Sequence, residues 1–106
     1  MDSQQLFPAL EKGDVDMIAT RTTDGHLLSG DWKILDDDQK VFRSYEACLL
    51  VRKDLLAAEP TLRAALAELS GKFSVATMRK LNADVDLNHR PVATVATDFL
   101  TQAGLR

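Results

Sequence analysis

Cysteine, proline, glycine and aromatic residues are all sparse here: the 106 residues include one cysteine, three prolines, five glycines and 6% aromatics. One cysteine closes no disulfide within the chain. At this length none is needed, because a chain of this size buries roughly two thirds of its unfolded surface. The scarcity of proline and glycine, with 45% hydrophobic and 27% charged residues, excludes disorder, collagen-like repeats and a coiled coil. No apolar run approaches the ~18 residues that span a bilayer. The start, Met1 to Gln5, lacks the basic and apolar regions of a secretory signal, so an exported parent protein is expected to carry its signal outside this chain. A strong charge excess is missing too. Thirteen basic and sixteen acidic residues leave a net charge of −3, with the basic ones scattered, so no nucleic-acid partner is expected.

Catalytic and metal-binding constellations are equally hard to find. Cys48 lies in the apolar run Ala47–Val51 and reads as a small buried hydrophobe rather than a nucleophile, since apolar burial raises a thiol pKa. Asp36, Asp37 and Asp38 lack the alternating ligands, central glycine and distant glutamate of a calcium loop, and read as a solvated turn. His26 and His89 have no companion at ligand spacing and read as surface histidines. Asp84 and Asp86 share a face if their segment is a strand or loop, but nothing marks a cleft around them. No serine sits in a Gly-x-Ser-x-Gly elbow, and the glycines form no phosphate loop. No enzyme activity, cofactor or metal is expected.

What remains is a succession of helix and strand signals. Leu6, Phe7 and Leu10 share one helical face, closed by Gly13. Val15–Arg21 reads as a strand ended by the turn pair Asp24-Gly25, and Trp32–Leu35 as a second strand stopped by the aspartates. Ala47–Val51, apolar without alternation, reads as a strand covered on both faces. Beyond it the signals are helical. Lys53–Ala58 starts a short helix and Pro60 suits the first turn of the next. Leu62, Ala65, Leu66 and Leu69 form its apolar stripe, and Ser70-Gly71 closes it. Ser74 caps a helix carrying Val75, Met78 and Leu81. Pro91 opens the last helix, striped by Val92, Val95, Ala96, Phe99 and Leu100, with Gly104 just past its end. The expectation is a single α/β domain over residues 1–106, a small sheet flanked by helices.

The order of local motifs says more than any one of them. Ala9–Asp16 (ALEKGDVD) precedes Thr22–Gly25 (TTDG), Ile34–Asp38 (ILDDD), Val41–Ala47 (VFRSYEA) and Leu50–Asp54 (LVRKD). Glu59–Leu62 (EPTL), Ala65–Lys72 (ALAELSGK), Met78–Asn82 (MRKLN) and Val95–Leu100 (VATDFL) follow. This succession, covering essentially the whole chain, resembles the C-terminal part of the extracytoplasmic substrate-binding proteins of quaternary-amine ABC importers, whose solutes include glycine betaine, choline and carnitine. The resemblance implies a periplasmic-binding-protein type II-like lobe fragment. It also implies a receptor that captures a small zwitterionic or quaternary-amine solute and presents it to an ABC permease, outside the cytoplasm.

In such receptors a box of aromatic faces attracts the quaternary ammonium, each face worth about 0.5–2 kcal/mol. Tyr45 matches one box tyrosine, or else anchors a loop. The position before Thr22 is commonly another box tyrosine; here it is Arg21. A guanidinium about 5 Å from a quaternary ammonium costs roughly 3 kcal/mol at an effective dielectric near 20. Arg21 therefore has three readings: it points outward, it grips a carboxylate bidentately, or the chain has lost the family's ligands. The turn residues Thr22, Thr23 and Asp24 lend hydroxyl or backbone donors, or form an ordinary turn. A fragment with uncovered strand edges and apolar faces is expected to self-associate as a homodimer. The competing class is a non-catalytic interaction or regulatory module that reuses the fold without a small molecule.

Overall fold

Local start or stop signals mark most helices of the computed structural model, which describes residues 5–43 and 47–105. Helix α1 (Leu6–Lys12) ends on Gly13, whose φ of 75° is the left-handed conformation that glycine adopts without steric cost. There the Gly13 N–H donates to Leu10 O and the Asp14 N–H to Ala9 O, pairing carbonyls that the helix end would otherwise strand. Helix α2 (Lys53–Ala58) runs into α3 (Pro60–Ala67), where Pro60 occupies the first turn. Helix α4 (Val75–Asp86) starts on Ser74, whose Oγ accepts the Thr77 N–H at 3.0 Å. Helix α5 (Val92–Gln102) follows Pro91 and closes through Gly104.

These elements form two compact units. The first combines Met1–Gly30 with Lys72–Arg106; the second is Asp31–Gly71. In the first, α1, a 3₁₀ turn (Gly25–Leu28), α4 and α5 surround a small core of Phe7, Ala9, Ala83 and Val95. Phe73 stacks on Phe99 with ring centroids 4.9 Å apart. Arg90, just beyond α4, reaches Asp84 on α4 and Asp98 on α5, tying the corner between the two helices. In the second unit α2 packs on α3, with Leu62, Leu66 and Leu69 half-buried. No described side chain of residues 31–71 is fully buried.

The expected α/β architecture is not found: among the described residues every regular element is helical, and the small sheet is absent. Val15–Arg21, Trp32–Leu35 and Ala47–Val51 carry strand composition but join no ladder. A strand is completed by hydrogen bonds from a neighbour distant in sequence, and local propensity cannot supply that neighbour. The cover expected over Ala47–Val51 is missing as well, with Leu49 61% and Leu50 94% exposed. Cys48 is accordingly exposed rather than buried.

Candidate functional site

The expected site residues that the structure describes converge on one turn. Arg21 to Asp24 reverse direction through the Asp24 N–H bonded to Arg21 O at 3.0 Å, and the chain enters the 3₁₀ turn. Asp24 caps that turn. Its carboxylate accepts the His26 N–H at 3.0 Å and the Thr20 hydroxyl at 2.8 Å, and the His26 Nδ1 lies 3.0 Å away. Burial pushes the Asp24 carboxyl up. The hydrogen bonds from Thr20 and His26, with the His26 charge, outweigh that and hold it below the ordinary carboxylate range. The His26 ring stacks on Phe7, centroids 4.8 Å apart, so the histidine expected at the surface is a half-buried part of the support; His89 is exposed.

Helix α4 holds the same turn from the other side. Arg79 donates twice to Thr22 O, from Nε at 2.9 Å and from Nη2 at 2.6 Å. Asn82 Nδ2 donates to Thr23 O at 2.8 Å. Between these contacts Gly25 meets the helix backbone, where a Cβ would lie 2.4 Å from Ala83 N and 2.6 Å from its Cα. No side chain fits there. Arg79 and Asn82 lie three residues apart and therefore on one helix face. Reading residue chemistry alone missed both; their signal was the polar pair inside the Met78–Asn82 motif.

The carbonyls of Thr22 and Thr23 and the carboxylate of Asp24 are engaged within the molecule. Arg21 and Thr22 are exposed and Thr23 is half-buried. Tyr45 lies outside the described residues. The aspartates expected as a turn form one: Asp37 accepts the Val41 and Phe42 N–H groups at 2.9 and 2.8 Å, and Lys40 takes φ 51°. Asp84 and Asp86 stand on helix α4 rather than on a strand or loop, and Asp84 is paired with Asn88 and Arg90. An open depression of about 260 Å³ on α1, lined by Gln5, Pro8, Ala9, Lys12 and Asp14, includes none of the expected site residues. No described helix is long and apolar enough to cross a membrane.

Comparison with known proteins gives the turn its context. Residues 1–102 match the model of the substrate-binding domain of ABC-type glycine betaine transport systems. The carnitine transport binding protein OpuCC of Listeria monocytogenes is 33% identical over 95 residues, which are 90% of this chain and 31% of that protein. A glycine-betaine-binding protein of Pseudomonas aeruginosa is 32% identical over 102 residues, 96% of this chain and 33% of that protein. The ergothioneine transport permease/ergothioneine binding protein EgtU of Helicobacter pylori is 30% identical over 105 residues, 99% of this chain and 19% of that protein. The chain thus spans a third or less of the length of these relatives. With a family match running through α1, the Thr22–Gly25 turn and the helix that holds it, this chain belongs to the substrate-binding domains of ABC-type glycine betaine transport systems.

Proposed function

We propose that this chain is the C-terminal portion of a solute-binding component of an osmoprotectant ABC importer, acting outside the cytoplasm. It captures a small zwitterionic or quaternary-amine solute and presents it to the permease without chemical change. The family match over residues 1–102 carries this reading. Support also comes from relatives named for carnitine, glycine betaine and ergothioneine.

Within that reading Arg21 grips the solute carboxylate. Its side chain is exposed beside a turn pinned by side chains and backbone, so the guanidinium starts from a fixed base. Guanidinium and carboxylate match in planar, bidentate fashion, and a charge-assisted hydrogen bond is worth about 1.5–3 kcal/mol. The same charge repels a quaternary ammonium that brings no carboxylate. Betaine and carnitine are therefore favoured over choline. The Thr22 and Thr23 hydroxyls supply polar contacts.

Calorimetric titration, alongside the fluorescence of Trp32, tests this with glycine betaine, carnitine, ergothioneine and choline. The expected result in the full-length receptor is saturable binding of the zwitterions, with choline weaker; this portion in isolation is expected to bind betaine weakly or not at all. Arg21→Met lowers affinity for betaine by roughly thirtyfold, the equivalent of about 2 kcal/mol, and narrows its lead over choline. Equal binding of betaine and choline, unchanged in Arg21→Met, removes Arg21 from the site. No heat with any of the four solutes in the full-length receptor sinks the receptor reading.

A further inference from the structure

We propose that Arg79 and Asn82 of helix α4 are positioning residues for the solute-contacting turn, setting the direction in which Arg21, Thr22 and Thr23 face; this rests on the receptor reading above. Three independent contacts join the two segments. The Arg79 guanidinium straddles Thr22 O with two N–H groups, and Asn82 holds Thr23 O. Gly25 seats the turn directly on the backbone of Ala83. Fixing two successive carbonyls fixes the peptide planes on either side of Thr23. Because Arg21 O accepts the Asp24 N–H, the Arg21 backbone is drawn into the same arrangement. A single contact would leave the turn free to pivot about it. Two side chains gripping adjacent carbonyls, 57 and 59 residues away in sequence, remove that freedom.

The device is spatially separate from the other support of the turn. Asp24, Thr20 and His26 brace it from within its own stretch of chain and against Phe7 on α1. Arg79 and Asn82 brace it from α4 alone. Their loss therefore leaves Gly25 seated on the helix and the 3₁₀ turn capped while the Thr22–Thr23 peptides relax. Solute affinity then falls without a matching fall in stability, because a charged group that wanders pays its ordering entropy on binding.

The test compares Arg79→Met and Asn82→Leu, both good helix formers, with Ser74→Ala. The last removes the N-cap of the same helix and touches nothing in the turn. Amide hydrogen exchange without solute reads the turn directly at Asp24, whose N–H closes it on Arg21 O, while His26 and Leu27 report the 3₁₀ turn that stays capped. The expected result is exchange at Asp24 at least tenfold faster in the two face variants, with His26 and Leu27 unchanged, and no change at Asp24 in Ser74→Ala. Exchange like that of the parent chain in both face variants overturns the proposal. Titration of the full-length receptor with glycine betaine reads the consequence: a dissociation constant at least tenfold higher in the face variants, with Ser74→Ala at equal or lower melting temperature binding like the parent. Equal weakening in all three reduces the contacts to general stability and also overturns it. If the full-length receptor without these substitutions binds no betaine, the receptor reading fails while the exchange data still decide whether α4 sets the turn.

Discussion

Asp24 concentrates more of the local physics than any neighbour, since one carboxylate caps the 3₁₀ turn, takes the Thr20 hydroxyl and meets the His26 ring. Replacing an N-cap aspartate by alanine costs about 1 kcal/mol, so Asp24→Ala is expected to lower the melting temperature by several degrees, measurable by circular dichroism. The pH dependence has a definite sign. With its folded pKa below the unfolded value near ~3.9, the carboxylate's contribution is fully present above that value and is lost as pH falls through the folded pKa. The turn amides are therefore expected to lose protection only at pH values below the ordinary carboxylate range, and Asp24→Asn to abolish that acid step. Gly25 is governed by space instead. A methyl at 2.4 Å from Ala83 N forces the turn off α4, so Gly25→Ala is expected to cost about 1–3 kcal/mol. Retained stability in a thermal melt of Gly25→Ala would show that the turn does not sit on the helix.

At the scale of elements, α1 matters through Phe7, which is 5% exposed and lies beneath the His26 ring. Truncating a buried phenylalanine costs about 3–5 kcal/mol, a large share of a marginal domain's stability, so Phe7→Ala is expected to melt the first unit near ambient temperature. Unfolding in urea followed by circular dichroism measures it. Helices were legible in the sequence because their punctuation is local: Gly13, Pro60, Ser74, Pro91 and Gly104 each act within a few residues. The strands were misread for the converse reason. Composition marks Val15–Arg21 or Ala47–Val51 as suited to a sheet, but only a partner strand makes them one. The candidate site was legible in part. Thr22 to Asp24 stood out through motif order, and the structure makes them a turn. The grip of Arg79 and Asn82 did not stand out: the Met78–Asn82 motif contains the pair, but only folding brings it to carbonyls 57 and 59 residues away.

For the whole molecule the telling property is apolar surface without cover. Among the described residues twelve large hydrophobic side chains are exposed, including Leu35, Val41, Phe42 and Leu50 at 75% or more, and the second unit has no fully buried described side chain. Single exposed apolar residues are ordinary, but a segment rich in them, with unpaired extended backbone, favours pairing with another chain. The chain is expected to self-associate at high concentration, which light scattering after size exclusion measures. Leu50→Lys is expected to shift the equilibrium toward monomer. A monodisperse monomer at high concentration would remove this expectation.

The hold of α4 on the Thr22–Gly25 turn also dictates an order of events during synthesis. Arg79 is made 57 residues after Thr22, a delay of about 3–11 s at roughly 5–20 residues per second. Throughout that interval the nascent turn has emerged without the helix that orients it. The hold on the turn is thus acquired late on the ribosome, and a message cut short before the codon for Arg79 yields a polypeptide whose Thr22 and Thr23 carbonyls lack both of their α4 partners.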